Sequence, residues 1–302
     1  FFFFFLSFFY SPPPPQKKGY VVYYLNRKTF PCAVPVLQAE LALSTPAVGT
    51  VNSCFAFGYA LGQMLAGLAA TRLGPPRLFA AGLVGTAAAN AIIASASRPV
   101  VLQAAALANG VAQGCGWPAI AILLRLLLPP DQVFSFFLSF FFCFFPFAYL
   151  IFYHKVASYW SVLSASSNLA SALAPTCVSL VMTYFATWRA PFVVASALAV
   201  GMALVVVVVL GGQARAARRS SSAQLPEHED ATWRGLVLHA PTFWLVVCCY
   251  ALIYFVKNAV SDWTQVLLVQ RHAFRPLQAA AVLGSFELGG ILGSLVIGFF
   301  RF

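Results

Sequence analysis

Apolar residues recur along this chain in blocks of about twenty, the length that carries an α-helix across a bilayer, and short stretches rich in Arg, Pro and Gly separate them. Reading each block between its breaks places spans at 19–38, 47–70, 77–96, 99–124, 157–184, 190–211, 241–269 and 277–300. Barrel strands would be about half as long and would alternate strictly, so the pattern predicts an all-α, polytopic membrane protein. The long polar stretch from Gly212 to Ala240 holds Arg215, Arg218, Arg219, Glu227, Glu229 and Asp230 and reads as a linker. The expected organisation is a leader at 1–18, a six-helix lobe at 19–211, a cytoplasmic linker at 212–240 and the start of a second lobe at 241–302.

Composition agrees with the pattern. The 302 residues are 61% hydrophobic and 8% charged, with a mean hydropathy of +0.84, too few polar groups to cover a water-soluble globule. The net charge of +11 is spread singly through the short connections rather than gathered on one polar domain, so it reports membrane topology and not a nucleic-acid partner. With the N-terminus in the cytoplasm, ten Lys and Arg (17, 18, 72, 77, 125, 215, 218, 219, 234 and 301) fall on that side and four (98, 189, 271 and 275) on the other. Seven cysteines sit mostly within apolar blocks and read as small packing residues.

One further apolar block, Val133 to Lys155, is long enough to span. Counting it would invert everything downstream and reduce the charge asymmetry to eight against six, so positive-inside reasoning disfavours it as a span. Its Phe-, Ser- and Leu-rich composition suits a translated polypyrimidine tract, and Val and Lys codons at its ends can carry intron boundaries. We read 133–155 as a retained-intron insert and much of 1–18, with its "FFFFFLSFFYSPPPP", as non-coding sequence.

The chain also repeats itself. "YVVYYLNR" (Tyr20 to Arg27) aligns with "YALIYFVK" (Tyr250 to Lys257), pairing Tyr20 with Tyr250, Tyr24 with Tyr254 and Arg27 with Lys257 at an offset of 230. In the following helices Gly62 and Gly67 align with Gly293 and Gly298 at an offset of 231. Two helices repeated in order predict two related halves meeting at a central cavity, where Arg27 and Lys257 would face one another.

A charge at the centre of a span costs about 2.5 to 3.5 kcal/mol on insertion scales, so each cation needs a partner, a ligand, or a route to the headgroups. Glu40 and Asp262 are the carboxylates near these spans, leaving Arg27 no obvious mate, and Lys28 is expected to snorkel. The planar fork of Arg and the compact charge of Lys both suit phosphate, with carboxylate as the other anion they accept. Tyr24 and Tyr254, one turn before the cations, either donate to phosphate oxygens or pack as aromatics. Asp262, five residues past Lys257, is expected to cap its helix or link to the loop.

Gly110, Gly114 and Gly116 predict close helix packing. Trp117 and Pro118 mark a bend, either beside the cavity and touching substrate or as an ordinary kink. Asn168, on a small and apolar face, is a candidate lining residue. The chain carries no Walker loop, Ser/His/Asp set or metal motif, so the reading is of a protein that is not an enzyme and needs no cofactor.

With these residues in view, the chain resembles the major facilitator superfamily. "GLAATRLGPPR" (Gly67 to Arg77) is similar to the superfamily's loop between helices two and three, with Thr71 where that motif has Asp. Within the superfamily the organophosphate:phosphate antiporters are nearest, in particular the glucose-6-phosphate/phosphate exchangers of the endoplasmic reticulum membrane. "YYLNRKTF", "NGVAQGCGWP", "SVLSASSNLASALAP" and "YFVKNAVSDW" follow their pattern in order, across most of 19–300 without the insert. The resemblance implies exchange of glucose 6-phosphate for inorganic phosphate, with the phosphate held by Arg27 and Lys257 and the cavity lined by Tyr24, Tyr254, Trp117 and Asn168. It also implies four further helices after "GFFRF". The rival from another class is a non-transporting membrane phosphate-binding or regulatory protein; both have the lipid bilayer as surroundings, and neither implies a protein partner.

Overall fold

The computed structural model describes residues 15–127, 156–221 and 241–299, with side chains over part of them. The expected insert at 133–155, most of the expected leader and residues 222–240 of the expected linker lie outside the described residues. The described residues form α-helices joined by short turns: α1 (Pro15–Leu41), α2 (Thr45–Leu73), α3 (Pro75–Ser95), α4 (Pro99–Gly114), α5 (Gly116–Leu127), α6 (Val156–Phe185), α7 (Ala190–Ser221), α8 (Pro241–His272) and α9 (Pro276–Phe299). The fold is all-α, as the twenty-residue blocks predict.

Each boundary has a local cause. The Ser44 hydroxyl accepts from the Ala47 amide, and Pro46 fits the first turn of α2, where its missing N–H goes unmissed. Gly74, at φ 78, takes the left-handed turn between α2 and α3, and the two prolines after it start the next helix. The turns after α1 and α8 are closed by Ala42 and Ala273, both at positive φ. These two alanines stand at the same offset as Gly62 and Gly293, so the repeat legible in the sequence is also a repeat of backbone conformation.

Two boundaries differ from the sequence expectation. The expected fourth span is two helices, α4 and α5, and the break falls at Cys115 rather than at Trp117 and Pro118. Pro118 lies in the first turn of α5, where proline disrupts no helical hydrogen bond, so it follows the break instead of making it. The second concerns Arg215, Arg218 and Arg219, expected in the linker: α7 continues through them to Ser221.

Thr45–Ala70, Pro75–Ser95, Asn168–Phe185 and Ala190–Val208 are long and apolar enough to cross a membrane. Their outer faces expose Phe57, Met64, Leu68, Tyr184, Leu204 and Val208. Such a surface suits hydrocarbon as solvent, and the chain is an integral membrane protein.

Packing within the bundle rests on close backbone approach. α2 and α4 touch through reciprocal glycines: a Cβ on Gly58 or Gly62 would strike the backbone of Leu107 or Val111, and one on Gly110 or Gly114 the backbone of Phe55, Tyr59 or Gln63. Without a hydrophobic force between helices in lipid, this small-residue seam supplies the contact. It also sets Tyr59 of α2 and Gln113 of α4 at one level. Gly110→Val forces the two helices apart and is expected to destabilise the protein by about 3 kcal/mol, the upper end for overpacking. Gly67→Val, facing open space, should leave thermal unfolding in detergent unchanged; equal melting of the two variants would contradict the seam.

α3 packs along α7, α1 lies against α6 and α7, and α9 lies against α6. α8 meets the bundle at α1.

Candidate functional site

Arg27 lies well inside α1, three turns from its start, and its side chain turns toward α2 and α4. Its Nε donates to Oε1 of Gln113 at 3.3 Å. Its guanidinium carbon lies 4.8 Å from the ring centre of Tyr24 and 4.4 Å from that of Tyr59. Cation–π contacts of this kind hold a guanidinium where water is scarce without neutralising it. An amide and two rings are thus among the partners of Arg27.

Lys28 does not snorkel. Its side chain is 8% exposed, and its Nζ lies 3.3 Å from Oδ1 of Asp262 on α8 and donates to the Ser261 hydroxyl. The next residue on α1 is rotated about 100° from Arg27, which turns Lys28 toward α8 instead of toward α2 and α4. Asp262 therefore neither caps α8 nor links to its loop; it pairs across helices.

Ser261 passes the connection on. Its hydroxyl donates to Oε1 of Glu287 on α9 at 3.2 Å, and Glu287 is 2% exposed. The other carboxylate oxygen lies 4.0 Å from Nζ of Lys257. Lys257 also donates to Oδ1 of Asn168 on α6 at 3.4 Å. Gly290, one turn after Glu287, brings α9 against the Asn168 amide.

The ring of Tyr254 stacks on that of Tyr250, one turn earlier on α8, at 5.5 Å. Of the six residues expected to bind ligand, Arg27 lies against Tyr24, and Lys257 of α8 bonds Asn168 of α6. Tyr24 and Trp117 each pack against the core cluster built around Val22, Tyr23 and Phe79.

Sequence reasoning did not single out Tyr59, Gln113, Ser261 or Glu287, and it gave Lys28 and Asp262 other roles. One signal was available: Glu287 is a lone acid inside an apolar block, and an intramembrane carboxylate marks a functional position.

Toward the Leu41 and His272 ends, the seam between α1 and α8 stays polar. Gln265 Nε2 donates to the Cys32 carbonyl at 3.3 Å, and Gln270 Nε2 to Oε1 of Gln38 at 2.9 Å. Beyond them Arg189 lies 3.6 Å from Glu40. Lys28 and Lys257 thus meet Asp262 and Glu287 across α1, α8 and α9, while Arg27, one residue before Lys28, lies on the α2 and α4 side of α1.

The family described as Major Facilitator Superfamily matches residues 19–301. The chain is 26% identical to the "Probable hexose phosphate transport protein" of Chlamydia pneumoniae, over 93% of this chain and 61% of that one. It is 22% identical to the glycerol-3-phosphate transporter of Bacillus subtilis, over 93% of this chain and 62% of the relative. Against the membrane sensor protein UhpC of Escherichia coli the identity is 23%, over 93% and 62%. The chain spans about three fifths of the length of these curated relatives.

Proposed function

The chain belongs to the major facilitator superfamily, and from that premise we propose that it serves as an antiporter exchanging a phosphorylated sugar for inorganic phosphate. The observation that carries the reading is that Arg27 and Lys257, the cations the repeat aligns, both lie inside helices among tyrosine and amide side chains. Phosphate offers oxygens for bidentate contact with Arg27 and a charge for Lys257 to meet.

The bonds suggest how the site responds. Lys257 is held loosely by Glu287, at 4.0 Å, and an entering phosphate draws it away while Ser261 keeps its bond to the carboxylate. With the anion gone, Lys257 returns to Glu287. The Lys28 and Asp262 pair and the two glutamine bonds then hold α1 to α8 toward the Leu41 end, and rocking of the helix groups opens that seam. The lobe expected at 19–211 and the second lobe whose start is expected at 241–302 would be the rocking units.

Glucose 6-phosphate is the substrate we assign, in the endoplasmic reticulum membrane with the N-terminus cytoplasmic. The four motif resemblances support the substrate and the membrane, the names of two relatives support a phosphate ester, and the Lys and Arg asymmetry supports the orientation. Equilibrium binding of labelled phosphate to the purified protein tests the assignment. Glucose 6-phosphate should displace the label and glucose should not; displacement by glucose, or none by glucose 6-phosphate, would contradict it.

The similarity to a protein named as a membrane sensor favours a second reading, in which the site binds phosphate without transport. Flux decides between the two.

A further inference from the structure

Four amide side chains, all nearly inaccessible, form one continuous ladder through α1, α3 and α4: Asn26 is 2% exposed, Asn90 0%, Asn109 5% and Gln113 1%. Asn26 Nδ2 donates to the Val22 carbonyl at 2.7 Å, and Asn90 Nδ2 to Oδ1 of Asn26 at 2.6 Å. Asn109 Nδ2 donates to Oδ1 of Asn90 at 3.0 Å, Gln113 Nε2 to Oδ1 of Asn109 at 3.1 Å, and Arg27 Nε to Oε1 of Gln113. The ladder leaves α1 at Asn26 and returns to it at the next residue.

Both ends of this ladder fix its polarity. A backbone carbonyl can only accept, so Asn26 must turn its nitrogen to Val22 and its oxygen to Asn90, and each following amide inherits that sense. A guanidinium can only donate, so the last group facing it must be an oxygen. The two ends demand the same direction. Flipping any one amide would set two donors or two acceptors against each other in a buried place, where an unmade hydrogen bond is expensive.

We propose that Gln113, held in one orientation by Asn109, Asn90 and Asn26, is a positioning residue that aims the Arg27 guanidinium at bound phosphate. The rings of Tyr24 and Tyr59 lie against the guanidinium, and Gln113 sets its rotation by claiming Nε, which turns the two-nitrogen Nη edge away from α4. A bidentate contact depends on that rotation more than on charge alone. The proposal rests on the reading of Arg27 as a phosphate-binding cation.

The test is the affinity of the purified full chain for labelled inorganic phosphate, in wild type, Gln113→Met, Asn90→Leu and the control Thr86→Val. Thr86 is fully buried on the same helix as Asn90 and outside the ladder. Breaking the ladder is expected to weaken phosphate about tenfold, the loss of one well-aimed hydrogen bond to a charged group, with Thr86→Val unchanged. Each ladder variant is then combined with Arg27→Lys, which keeps the charge and removes the Nε–H. On that background Asn90→Leu and Gln113→Met should cause no further loss, because nothing remains to be aimed. Wild-type affinity in Gln113→Met, or losses that multiply with that of Arg27→Lys, would overturn the ladder while leaving the site intact. Wild-type affinity in Arg27→Lys and Arg27→Ala together would instead remove the site itself. Gln113→Met preserves side-chain length, so the proposal stays testable if Asn90→Leu fails to fold.

Discussion

On the proposed function, Arg27→Ala is expected to lower phosphate exchange at least a hundredfold while the protein still inserts in the membrane. The estimate follows from losing two charge-assisted hydrogen bonds to the anion, each about 1.5 to 3 kcal/mol. Insertion is not the weak point, because removing a cation from mid-span relieves a cost of about 2.5 to 3.5 kcal/mol. The loss of exchange is therefore specific to the site. Lys257→Ala should behave alike, since its amine is already shared between Glu287 and Asn168 at 4.0 and 3.4 Å and is the group most easily drawn to a ligand. Exchange rates normalised to protein in the membrane check both; normal exchange by either variant would take its cation out of the site.

Lys28→Met is expected to act on stability. It leaves Asp262 and the buried Glu287 with Lys257 as the one remaining lysine of the cluster, and breaking such a pair costs about 3 kcal/mol, the lower end for buried pairs because Asp262 is 29% exposed. Adding Asp262→Asn removes the stranded charge and should recover most of the loss. A snorkelling Lys28 would give neither effect, so the melting temperatures of the single and double variants separate the two pictures.

Much of this arrangement was legible in the sequence, for identifiable reasons. Helices that cross hydrocarbon must be long, apolar and internally hydrogen-bonded, so their positions follow from composition; seven expected spans each coincide with one helix, and the fourth with the pair α4 and α5. The repeat singled out Arg27 and Lys257 because they align on corresponding helices. Lys28 escaped because its fate turns on a 100° rotation between neighbours and on which helix α1 faces, a tertiary fact. Gln113 escaped for a similar reason: it bonds a residue 86 positions away. The break at Cys115 was displaced by two residues because proline tolerates the first turn of a helix as readily as it ends one.

Counterflow of labelled phosphate tests the central claim most directly. Proteoliposomes containing the protein and loaded with unlabelled glucose 6-phosphate are diluted into labelled phosphate. The account predicts uptake of label that requires the internal sugar phosphate and disappears with Arg27→Ala. Saturable phosphate binding with no uptake above that of empty liposomes would contradict exchange and leave a static anion-sensing site.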